Sequence, residues 1–305
     1  MVLVPLSPPH AVPVLSGFDY VAVDSARRRV YAAHTGSDAL LIVDAENGRV
    51  LGQVDVGGPL HGVAVDPDTG HVFTGDGLAR TVSEVDPRTQ NVLRSTDVDG
   101  NVDAIAYDSG LHRIYADEDD GTRIFVIDAR TMKQVGVVKL PGHKPEYLDV
   151  DPRSHVLYQN IANLSEIAAI DPHSLKVVRT IPTPQLRNNH PLQFDAKYGV
   201  LLAGGKNGVL NSYSTGGRLI STARINPAVD QCNLDQATQR IACAGDGEID
   251  VLQVGSGGAL RRIASTHVAQ SGGDAHTLAF DNKTGRLWTV WAAPNGDAIQ
   301  AFTVK

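Results

Sequence analysis

The chain has 305 residues, 42% hydrophobic and 20% charged with no low-complexity stretch, which excludes a disordered or fibrous protein and leaves ample apolar area for a core. A net charge of -7 and a pI near 5.8, with no long basic run to offset them, argue against nucleic acid and anionic membranes as partners, because both draw their affinity from basic patches. No apolar stretch approaches the roughly 18 residues that a membrane-spanning helix requires.

Met1 to Gly17 lacks the charged and apolar regions of a signal peptide. The expected location is therefore cytoplasmic, or periplasmic or secreted if a signal peptide has been removed. Beyond this segment the chain repeats. Short apolar strands end at Asp24, Asp66, Asp108, Asp151, Asp195, Asp235 and Asp281, at successive separations of 42, 42, 43, 44, 40 and 46 residues. Seven residues after each of these aspartates stands an apolar or aromatic residue: Tyr31, Phe73, Tyr115, Tyr158, Leu202, Ala242 and Trp288. The intervening residues form turns, as in Pro67-Asp68-Thr69-Gly70 and Pro152-Arg153-Ser154-His155, so each repeat reads as strand, four-residue turn, strand. Twenty residues after the first aspartate of a repeat, Asp44, Asp86, Asp128 and Asp171 end a third strand, and a fourth follows, such as Val50 to Val54.

Four antiparallel strands recurring at this interval, without an amphipathic helix, predict one all-β domain over 1–305, a seven-bladed β-propeller. The blades are expected near 18–60, 61–101, 102–145, 146–189, 190–229, 230–274 and 275–305, the last completed by 1–17. The final repeat stops after its third strand, so residues around Ala11 to Leu15 are expected to supply the fourth and close the ring, removing exposed sheet edges.

The stretches Val30-Tyr31-Ala32-Ala33-His34, Val43-Asp44, Gly48-Arg49-Val50 and His61-Gly62-Val63-Ala64-Val65-Asp66-Pro67 give the whole chain a pattern that resembles the YVTN-type repeat propellers, a bacterial group of often exported seven-bladed proteins. The resemblance implies the fold. It implies little about activity, because propellers host many. The group generally lacks histidine at the places of His190 and His276, which suggests a specialised chemistry here.

Five residues before each repeat's first aspartate, where the innermost strand begins, stand Asp19, His61, Asp103, Glu146, His190, Asp230 and His276. Only 34 acids and 11 histidines exist in the chain, so filling all seven positions with them points to selection at one channel mouth. His61, His190 and His276, spaced nearly threefold around the ring, are expected to bind one transition-metal ion (zinc, iron, manganese, copper or nickel), with Asp19 and Asp230 as further ligands. Glu146 and Asp103 are the candidate proton-transfer groups. An equally simple account of the carboxylates is that they cap backbone amides of neighbouring blades.

A regular hairpin would set Asp76 beside His61, His34 beside Asp19, Glu118 beside Asp103 and Trp291 beside His276, as orienting groups or pocket walls. The same register opposes Cys232 and Cys243. We expect reduced thiols there, since direct opposition strains a bridge; the alternative is a disulfide formed in an oxidising compartment.

These features lead to a monomeric metalloenzyme performing hydrolytic or lyase chemistry on a small organic substrate. An iron or copper oxidoreductase using the same histidines is one alternative. A non-catalytic binding or scaffold propeller, whose ring holds a structural ion or only hydrogen bonds, is the other.

Overall fold

The computed structural model describes residues 1–12, 17–268, 274–294 and 296–305. Seven antiparallel sheets follow one another along the chain. Blade 1, for example, consists of Val21–Asp24, Arg29–His34, Ala39–Asp44 and Val50–Asp55, running from the axis outward. In blade 7 the strands Asp274–Asp281, Arg286–Ala292 and Ala298–Val304 are completed from the N-terminus by Leu3–Pro5, with His10–Ala11 pairing the same outer strand. The chain start therefore closes the ring, as expected, but largely upstream of the expected segment. Residues 13–15 of that segment lie outside the described residues.

The aspartate that marks each repeat has a local cause. Its carboxylate accepts amides and hydroxyls of the turn that follows. Asp66 takes the Asp68 amide at 3.0 Å and the Thr69 hydroxyl at 2.8 Å, Asp108 the Gly110 and Leu111 amides at 2.9 and 3.1 Å, and Asp151 the Arg153 amide at 2.9 Å. An aspartate that bonds the backbone two residues on mimics a turn, which is why this residue type recurs. Four residues after it the backbone is left-handed in every blade, at Arg28, Gly70, His112, His155, Gly199, Gln239 and Gly285. Three of the side chains at that place then reach back to the preceding blade's aspartate: Arg28 to Asp281, His155 to Asp108 and Gln239 to Asp195.

Apolar clusters fill the seams between blades. Tyr31, Leu40 and Ile42 of blade 1, for instance, pack on Val63, Val72 and Val85 of blade 2. Cys232 and Cys243 are directly paired, with Cα atoms 4.0 Å apart, and their sulfurs form a disulfide. The expected register holds, and the expected reduced thiols are corrected. Opposed positions that exchange no ladder bonds bring two strands closest together, so the side chains meet.

Candidate functional site

The innermost strands do not run straight into the channel mouth. The ladder shifts by one between Leu60 and Val63, Val102 and Ile105, Pro145 and Leu148, Asn189 and Leu192, and Asp274 and Thr277. In blade 1 the Asp19 amide and the Tyr20 carbonyl both serve Ala33, and in blade 6 the Asp230 amide reaches Ala244, already the partner of Gln231. Each ring residue thus sits in or beside a bulge, a device that re-aims side chains.

The bulges overturn the expected pairings of Asp76 and Glu118. Asp76 pairs with Leu60 and Glu118 with Val102, whereas Trp291 stays opposite the bulge that holds His276, between the pairs Asp274 with Ala292 and Thr277 with Val290. Each bulge adds one residue to the inner strand. Asp76 is buried, accepting the Thr81 and Ser83 hydroxyls at 2.8 and 2.9 Å, and burial pushes its carboxyl up to about 6. Glu118 is held by Arg123. Trp291 packs in the apolar seam between blades 6 and 7. His34 is buried, stacked on Phe18 with ring centroids 4.6 Å apart, accepting from Gln53 at 2.8 Å and standing 3.3 Å from Asp297.

Around the mouth the seven ring residues form three groups. His61 Nδ1 lies 2.7 Å from Asp19, and together with Asp103 these residues bring one ligand-type atom each within 4.8 Å of one another. His190 Nε2 stands 3.1 Å from Glu146 and 3.3 Å from Asp230, whose carboxylate also binds Lys206 at 2.7 Å. His276 donates from Nε2 to the Phe18 carbonyl at 3.0 Å, with Nδ1 3.1 Å from Asp274. The imidazoles are therefore shared among carboxylates and a carbonyl, and among the described residues the three-atom ligand group is Asp19, His61 and Asp103.

Crowding of acids sets the electrostatics. Burial, followed by the charges of Asp19, Asp117 and Glu146, holds the Asp103 carboxyl well above the usual range. Burial lifts Glu146 to about 8. Burial opposes charge on His276, but hydrogen bonding to Asp274 and the charge of Asp230 outweigh it and raise the imidazole to about 9. His190 moves down, with burial the main cause. Asp230 stays below the carboxylate range despite burial, held there by His190 and Lys206.

Three further residues at the site escape a count along the inner strands. Tyr20, next to Asp19, joins the apolar cluster of blades 3 and 4 and meets Tyr147 at 5.5 Å between ring centroids. Its hydroxyl is buried without a hydrogen-bond partner, in the field of Asp103, Asp19 and Asp117. Asp117, fully buried, accepts the Ala104 amide at 2.7 Å and the Gln159 amide group at 3.0 Å. Gln231 bridges Asp19 at 3.1 Å and Thr277 at 2.6 Å. Asp117 had a sequence signal, because it occupies a column that is otherwise Ala33, Gly75, Asn160, Gly204, Ala244 and Val290.

No family model matches the chain, and no curated protein matches it. Solved structures do. The chain is similar to the WD40 repeats of RRP9 (12% identity, 99% of each chain covered, TM-score 0.85) and to U3-55K (11% identity, 99% of this chain and 100% of that one, TM-score 0.84). It is also similar to the hydrazine synthase of Kuenenia stuttgartiensis (14% identity, 96% and 98% covered, TM-score 0.81). At such identities the likeness establishes the propeller fold, and YVTN membership stays a resemblance.

Proposed function

We propose that the chain is a non-catalytic binding propeller whose channel mouth holds one divalent metal ion on Asp19, His61 and Asp103. The observation that carries this reading is the Tyr20 hydroxyl, buried without a partner beneath three carboxylates, in a ring where Asp103 is itself held away from ionisation. A buried polar group left unsatisfied costs about 1–3 kcal/mol, and a cation among those carboxylates would both neutralise them and organise the donors. Two carboxylates and one imidazole suit manganese, iron or zinc better than an all-oxygen calcium site.

Metal-assisted hydrolysis, lyase chemistry or iron or copper redox chemistry would use the same ion. The binding reading is favoured over these because His190 and His276 are engaged with other partners. The disulfide fits an oxidising compartment.

Elemental analysis of protein purified without chelator is expected to give one ion per chain. Metal-free protein titrated with Mn²⁺ or Zn²⁺ should melt at a higher temperature, and Asp103→Asn should abolish that rise. Absence of stoichiometric metal together with no uptake on reconstitution would overturn the proposal.

A further inference from the structure

On the face opposite the ring, arginines close several of the seams between blades. Where blade 7 meets blade 1, Arg286 donates to the Ala45 carbonyl at 3.0 Å. Where blade 3 meets blade 4, Arg113 donates to the Pro172 carbonyl. Both arginines lie five residues after the repeat's aspartate, and both carbonyls open the outer turn of the next blade. Between blades 2 and 3 the corresponding carbonyl, Ala129, receives Arg94 at 3.3 Å. These arginines act as clasps.

Blade 1 carries the same arginine, Arg29, and blade 2 the matching turn residue, Pro87. There the clasp is open. Arg29 donates to the Arg27 and Arg28 carbonyls of its own turn, at 3.4 and 2.9 Å. A cleft of about 520 Å³ lies between the two blades, lined among others by Arg27, Arg29, Tyr31, Leu51, Pro87 and Arg88. Tyr31 is fully buried and its hydroxyl has no hydrogen-bond partner.

The lining of the cleft sets three arginines, Arg27, Arg29 and Arg88, against one carboxylate, Asp86. Asp86 is committed to its own turn, accepting the Arg88 amide at 2.8 Å and the Thr89 hydroxyl at 2.9 Å. Arg27 is pinned on Asp24 and on the Pro67 and Asp68 carbonyls. Arg29 bonds carbonyls, and the Arg88 side chain, 85% exposed, stands 3.5 Å from Asp86 at the edge of the cleft. The volume is in the range of small-molecule sites.

We infer that this cleft is a second ligand site, taking a small organic anion, a carboxylate or phosphate monoester, whose charge meets Arg29 and Arg88 and whose body reaches Leu51 and the Tyr31 hydroxyl. Guanidinium groups present paired donors that match carboxylate and phosphate oxygens, and a phenol offers the remaining donor at the floor. The site is independent of the ring and of any metal there.

The test uses the full chain with benzoate and phenyl phosphate as probes and benzamidine as the cationic counterpart of the same shape, followed by ligand-observed NMR. Saturable binding of at least one anion and none of benzamidine is expected. Loss of one charge-assisted contact in Arg29→Ala should weaken the anion by about tenfold. The exposed Arg88→Glu, which leaves the fold untouched, should weaken it at least as much, and Tyr31→Phe should weaken it less. Benzoate binding better than phenyl phosphate would identify a carboxylate ligand, and the reverse a phosphate ester. Benzamidine binding as well as the anions, unchanged affinity in both arginine variants, or no saturable binding of either anion at millimolar concentration would each overturn the proposal.

Discussion

The two ends of the inner strands use repetition in opposite ways. At the lower end, seven aspartates do one job, each accepting hydrogen bonds from its own turn, so the column is uniform in residue and in role. At the upper end, seven acids and imidazoles share a register and bulged backbone but divide into different partnerships, with Asp19 on His61, His190 on Glu146 and Asp230, and His276 on a carbonyl. Repetition thus guarantees where a side chain starts. What it does there depends on columns where the blades differ, such as Tyr20, Asp117 and Lys206 at the mouth, or the open clasp of Arg29 below.

Removing a lower-end aspartate should therefore produce the largest effect. Asp281 is fully buried and accepts the Lys283 amide at 3.1 Å, the Thr284 hydroxyl and the Arg28 guanidinium of the next blade. Asp281→Ala strips three donors of their acceptor and should lower the unfolding free energy by about 3 kcal/mol. By contrast, Asp19→Asn in metal-free protein should change it by well under half as much. Equal losses in urea unfolding of the two variants would erase the distinction between the ends.

The lower end was legible in the sequence because its geometry is local. An aspartate, a four-residue turn and a left-handed fourth residue are set by neighbours in the chain, so seven copies could be counted without any contact being known. The Cys232–Cys243 pairing was legible for the same reason, since blade 6 stays in register from Asp235 and Arg240 up to Gln231 and Ala244. Counting failed at the mouth. A bulge adds one residue that a straight ladder does not contain, so Asp76 and Glu118 slipped by one position. Partners supplied from other blades, such as Tyr20 reaching blades 3 and 4, have no fixed sequence interval at all.

The disulfide should have an intermediate effect. It closes a loop of sequence separation 11, for which the chain-entropy model gives about 2–3 kcal/mol. Cys232→Ala combined with Cys243→Ala should lose that amount, measured by urea unfolding. A loss below about 1 kcal/mol would mean that the blades alone hold the two strands together in the unfolded reference or the native sheet.

Near pH 5 the smallest effect lies at the mouth, where it appears only as pH dependence. Glu146, lifted by burial to about 8 from an ordinary 4.5, keeps its proton in the folded protein over a range where the unfolded chain has released it. The folded state then binds more protons than the unfolded state, so stability falls as pH rises from about 4.5 to 8, by at most about 1.4 kcal/mol per pH unit for this single group. His276 adds a slope of the same sign at higher pH. Its folded value of about 9 exceeds the usual 6.5, so its contribution is complete below 6.5 and is lost as pH rises through 9. Glu146→Gln cannot ionise, and its amide occupies the place of a carboxyl that is already neutral beside an imidazole whose own charge is suppressed by burial. In chelator, the variant should match the wild type near pH 5, exceed it in stability near pH 8, and lose the part of the slope that Glu146 contributes while keeping that of His276. Parallel pH profiles for the two proteins would show that Glu146 is ionised in the fold, and the mouth would then differ from the lower face in its partners but not in the protonation of its acids.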